Sequence, residues 1–137
     1  MADMTLVRAL LGKVKMDRST FEHLVAEALD SLPAEFRERL DNVEVVVEDW
    51  PDAETLRLAG ARRRADLLGF YHGVPQTHRT HDYGLVLPDK ISIYQRPIEM
   101  HCRTIAEARR MIHRVLRHEI AHHFGIGDER LQEIGAY

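Results

Sequence analysis

Between Ser19 and Pro33, residues Phe21, Leu24, Val25, Ala28 and Leu29 recur every three or four positions, which is the spacing of one helix face. Ser19 with Glu22 three residues on has the form of a capping box. Pro33 ends this helix or opens a short second turn through Arg39. The pattern then changes: Asn42–Asp49 reads NVEVVVED, short and β-branched, a strand bounded by Trp50-Pro51. Asp52–Asp66 has helical composition but a weak apolar stripe and an internal Gly60, so it reads as a surface helix or an insertion. In LLGFYHGVPQ, strand formers give way to turn residues at Gly73 and Pro75. YGLVLPDKISIYQR holds two β-rich pieces split at Pro88-Asp89, and Ile91 and Ile93 alternate with Ser92 and Tyr94 as in a half-buried strand. From Thr104, which forms a second capping box with Glu107, apolar residues recur at 105, 108, 111, 112, 115 and 116. This predicts a helix of about twenty residues ending at Gly125, followed by a short one over Asp128–Ile134. Without repeats or low-complexity segments, the elements make one α+β domain over residues 18–137, a small mixed sheet packed on the long helix. Residues 1–17 read as a flexible N-terminal arm.

Composition narrows the class. The chain has 137 residues, 45% hydrophobic and 30% charged, so it can build one core and is neither disordered nor fibrous. A formal charge of −3 gives no electrostatic reason to bind nucleic acid. The run Arg62-Arg63-Arg64 is flanked by apolar and acidic residues and reads as a solvated helix face. Cys102, the lone cysteine, cannot form an internal disulfide, which suits a reducing compartment and a small buried thiol. Asp3, Arg8 and Lys13 interrupt the N-terminal apolar residues, unlike a secretory signal, and no run approaches the roughly 18 apolar residues of a membrane span. The expectation is a cytoplasmic protein without membrane or nucleic-acid partners.

The chemistry concentrates in RHEIAHHFGIGDERL, Arg117–Leu131. At about 100° per residue, His118 and His122 lie roughly 40° apart on the helix, one turn along its axis, and their imidazoles point the same way. Val115, Ala108, Ile112 and Leu116 follow at about 60° to 160° on the same side, and Glu119 falls among them at about 100°. Ionisable groups on an apolar stripe need partners, and a divalent cation is one. H-E-x-x-H on a helix lets two imidazoles reach a single zinc ion while the glutamate reaches a water on that ion. A third ligand must come from beyond the helix. Continued as helix, Asp128 would lie about 15 Å along the axis from His118, out of reach. Gly125 and Gly127 allow the chain to turn back, bringing Asp128 over the histidines, with Glu129 and Glu133 as competing candidates. His123 points about 100° away from His122 and is expected in the core or at the helix end. His72, His78, His81 and His101 read as scattered loop histidines, and Tyr137 as a terminal residue.

HEIAHHFGIGD matches HExxHxxGxxD and resembles metzincin-type zincins in the form with Asp as third ligand. The wider chain resembles the minimal zincins, a small family of possible zinc metallopeptidases, through FEHLVAEALDSLP, NVEVVVED, LLGFYHGVP, LPDKISIY and the terminal motif. The resemblance implies one zinc ion held by His118, His122 and Asp128, with Glu119 as catalytic acid/base and a peptide or protein as substrate. It departs from metzincins in lacking a methionine after Asp128 and a segment to wall the far side of the cleft. The alternative reading is therefore a metal-holding peptide-binding module with little or no catalysis. The strand Lys90–Tyr94 is the candidate edge for an extended substrate.

Overall fold

The structure, a computed structural model, describes residues 13–73 and 89–125. In chain order they form α1 (Arg18–Asp30), α2 (Ala34–Arg37) with a 3-10 turn (Glu38–Leu40), β1 (Val43–Glu48), α3 (Ala53–Ala59), a 3-10 turn (Arg64–Asp66), β2 (Gly69–His72), β3 (Asp89–Tyr94), α4 (Gln95–Met100) and α5 (Ile105–His123). The sheet has the order β1-β3-β2. β1 runs parallel to β3, from Val43 opposite Asp89 to Glu48 opposite Tyr94, and β2 runs antiparallel to β3, from Gly69 opposite Ile93 to His72 opposite Lys90. The α+β class and the small mixed sheet on a long helix are as the sequence predicts.

The core lies between one sheet face and two helices. Ile91 and Ile93 of β3 meet Ala108, Ile112, Val115, Leu116 and Ile120 of α5, and Phe21, Leu24, Val25 and Ala28 of α1 pack against the same cluster. Removing each large aliphatic or aromatic side chain from water contributes about 1.5–3 kcal/mol. Leu32 and Phe36 close one end, so Pro33 does open a second short helix.

β3 is not half-buried. Ser92 and Tyr94 are as inaccessible as Ile91 and Ile93 because the second face is covered by α3, which brings Thr55 against Tyr94. The polar groups there are paired: His72 Nε2 lies 3.1 Å from Ser92 Oγ. Nor is β3 an edge, since β1 and β2 flank it. Among the described residues, β2 is the outer strand next to α5. Tyr94 N donates to Leu68 O at 3.0 Å, so in this antiparallel pair Phe70 and His72 direct their main-chain groups at β3, while Gly69 and Tyr71 direct theirs outward. The opposite edge, on β1, is partly closed by Arg18, whose Nη1 donates to Val47 O at 2.9 Å.

Helix ends refine the sequence reading. Thr104 Oγ1 accepts from Glu107 N at 3.1 Å, and Glu107 Oε2 accepts from Arg103 N at 2.8 Å, so the cap of α5 is the expected one, shifted by a residue on its return arm. The Ser19–Glu22 box does not form: Asp17 stands at the N-cap of α1 and accepts from Thr20 Oγ1 at 2.8 Å. Asp52–Asp66 is helical only through Ala59, where Gly60 at φ 70° ends α3. Arg62 and Arg63 thus sit in a loop rather than on a helix face, Arg63 pairing with Asp66 at 3.1 Å, and Arg64 lies 4.1 Å from the Trp50 ring centre.

The sequence does not predict α4, and this helix bonds to the segment before α1. Its buried Glu99 accepts from Met16 N at 2.8 Å, and its buried Gln95 donates to Met16 O at 2.9 Å. Val14 N donates to Cys102 O at 3.0 Å. Val14 and Met16 are thus tied to the body, Met16 because two buried side chains need its main chain as partner. The strand read before Pro88, the helix read over Asp128–Ile134, and His78, His81 and Tyr137 lie outside the described residues.

Candidate functional site

α5 lies along β2, and a glycine sets how closely. A Cβ on Gly69 would stand 2.6 Å from Val115 Cγ1 and 3.2 Å from Ser92 O, so only a bare Cα allows this approach. Glu119 enters the same contact, its Cγ 3.6 Å from that position. Burial between helix and strand pushes the Glu119 carboxyl up to about 7, while a hydrogen bond from the main-chain amide of Tyr71 acts in the other direction.

One residue before Glu119 and three after it stand His118 and His122, with ring centres 6.2 Å apart and planes inclined by 30°. They do not continue the middle of the buried stripe. His118 is half-buried and His122 exposed, at the margin marked by half-buried Met111, while Ile112, Leu116 and Ile120 hold the centre. Of the three ionisable residues, Glu119 is the one turned toward the sheet. Imidazoles sharing one tetrahedral ion through nitrogens about 2.1 Å from it have ring centres roughly 5 Å apart, so this pair offers the donor type a divalent cation needs at a separation somewhat wider than bound rings take.

α5 then stops as the sequence requires. Phe124 N donates to Ile120 O at 3.0 Å and Gly125 N to His122 O at 3.4 Å, and Gly125 takes φ 70°, the left-handed conformation that ends helices. Asp128, with its rivals Glu129 and Glu133, lies outside the described residues. Among the described residues no three His, Cys, Asp or Glu side chains gather into a group able to hold a metal ion.

His123 is where the spacing puts it, in the core, with its side chain 3% exposed. It stacks on Tyr71 with ring centres 3.5 Å apart and planes 10° apart, and its Nε2 lies 3.5 Å from Asp89 Oδ2. Asp89 Oδ2 also accepts from Tyr71 Oη at 2.7 Å. Gly69, Tyr71 and Asp89 were missed as site residues. A glycine inside a strand pattern is a signal for close backbone approach, but nothing local to Asp89 announces its partners.

The other histidines stay apart from this group: His72 faces the second side of the sheet, and His101 lies 3.0 Å from Ala65 O. Cys102 is fully buried, and burial raises its thiol pKa, as expected of a small core residue. The strand Lys90–Tyr94, expected as an edge for an extended substrate, is not one, because β1 and β2 flank β3.

The fold and the helix with its two histidines define a small zincin-like domain. A family model for zincin-like metallopeptidases matches residues 40–136, which includes the sheet and the whole of α5, and the chain belongs to that family. No curated protein matches it. Among the described residues, no helix is long and apolar enough to cross a membrane.

Proposed function

We propose that this protein is a zinc-dependent metallopeptidase in which His118, His122 and Asp128 hold one zinc ion and Glu119 is the general base. The observation that carries the reading is the placement of Glu119, buried against β2, between His118 and His122 on one helix. Family membership supports it. A bound zinc ion supplies Lewis acidity and an acidified water. The chain's own groups do the rest. An extended peptide runs along the outer side of β2, beside Glu119, which sets its scissile bond over α5. Glu119, held near neutrality by burial, takes a proton at its carboxylate and returns it to the leaving amine.

Glu119→Gln is expected to keep the metal and lose peptide hydrolysis by about 10²-fold or more. His118→Ala and Asp128→Ala are expected to lose both. Measured on a peptide library with parallel metal analysis, wild-type activity equal to that of Glu119→Gln would leave only a metal-holding peptide-binding module.

A further inference from the structure

The end of α5 carries two consecutive histidines, and consecutive helical side chains point about 100° apart. Only one of them can face the cleft while the other enters the core. We propose that Asp89 makes this choice: it is a positioning residue that captures His123 and thereby fixes the last turn of α5 with His122 turned outward. The inference rests on the assignment of His122 to the metal.

Asp89, at the start of β3, is 4% exposed, and a buried carboxylate is tolerated only among partners. Among the described residues its side-chain surroundings come from β2 and from α5. Tyr71 of β2 donates its hydroxyl at 2.7 Å, and His123 of α5 brings Nε2 to 3.5 Å, a close electrostatic contact rather than a hydrogen bond. From the end of β2, Gly73 at φ 151° leaves its Cβ position to the carboxylate: a side chain there would stand 2.7 Å from Asp89 Cγ. The main chain of Asp89 is itself fixed, its N–H donating to Asn42 O at 3.2 Å. The parallel stack of Tyr71 on His123, closed edge-on by Phe124 at 4.7 Å, leaves the imidazole little rotational freedom.

The same strand residue serves both ends of the site. Tyr71 presents its amide toward Glu119 and its side chain to Asp89 and His123. A rotation of the last turn of α5 that freed His123 would carry His122 out of line with His118 and move Glu119 along β2. Asp89 therefore acts through His123 and touches neither metal nor substrate.

The test uses Asp89→Asn and Tyr71→Phe in the full chain, with Ala108→Gly as a control that weakens α5 away from the site. Folding is checked by far-ultraviolet circular dichroism. Two readouts are taken: diethyl pyrocarbonate modification of each histidine in metal-free protein, located by peptide mass spectrometry, and zinc affinity by chelator competition. In the wild type and in Ala108→Gly, His122 is modified and His123 protected. In folded Asp89→Asn, His123 becomes reactive, and zinc affinity falls about 10- to 100-fold, the range found when groups that orient ligands are lost. Tyr71→Phe moves both readouts in the same direction by less. His123 remaining protected in both variants overturns the proposal whatever the metal does. His123 becoming reactive while the wild type itself holds no zinc leaves Asp89 as the clamp and removes the metal reading on which the rest of the site depends.

Discussion

A carboxylic acid held at about 7 inside the contact between α5 and β2 is a liability to folding and, under the proposed function, the general base. Glu119 binds its proton more tightly in the folded chain than in the unfolded one, where its pKa is about 4.5. Its contribution is fully present below the unfolded value and is lost as pH rises toward 7. Metal-free protein should therefore become easier to unfold with urea between those pH values, and Glu119→Gln should flatten that part of the profile. Gly69 works at the same contact. Gly69→Ala forces a methyl group against Val115 and the Ser92 carbonyl, an overpacking that costs about 1–3 kcal/mol. Because β2 must then move from α5, hydrolysis should fall further than the loss of stability explains, in assays run where the variant remains folded.

The pattern of His118, Glu119 and His122 is readable in the sequence because it lies in spacing along a single helix. Asp89 and Tyr71 were not. Asp89 is 34 positions from His123 in sequence, and only the pairing of β2 with β3 brings the two together.

At the scale of elements, α5 was readable to its ends. Its apolar period, its capping threonine and its terminal glycine all act locally, and each appears in the structure in its predicted role. Thr104→Ala should lower stability by about 1 kcal/mol, seen in the urea midpoint, without altering metal affinity, because the cap is at the opposite end from the histidines. β3 was readable as a strand but not in its burial. Alternation of Ile91 and Ile93 with Ser92 and Tyr94 resembles a strand with one wet face, and the cover for that face comes from α3, whose own stripe is weak. α4 was missed for a related reason. Its buried Gln95 and Glu99 look like surface residues until the main chain of Met16 is found bonded to them. The fastening of Met16 follows from the same pair. Glu99→Ala should expose Val14 and Met16 to proteolysis and loosen the junction with α1.

Across the whole molecule, the sheet order gives the two edges different characters. β1 has a carbonyl occupied by Arg18, which also pairs with Asp49 at 2.7 Å, whereas β2 turns the main chains of Gly69 and Tyr71 toward the side where Glu119 and the histidines lie. Under the proposed function an extended peptide lies along β2, beside Glu119, and not along the guarded β1. The class of fold and the family were both legible from the chain, since periodicity sets the elements and the H-E-x-x-H spacing sets the motif. Which strand lies outermost next to α5 was not, because strand order is a property of the assembled sheet. The central claim is that α5 holds a metal ion through His118 and His122. Elemental analysis of protein purified without added metal tests it most directly. Wild type and Glu119→Gln should carry about one zinc ion per chain, and His118→Ala close to none. Equal metal content in all three, or none in the wild type, would contradict the account.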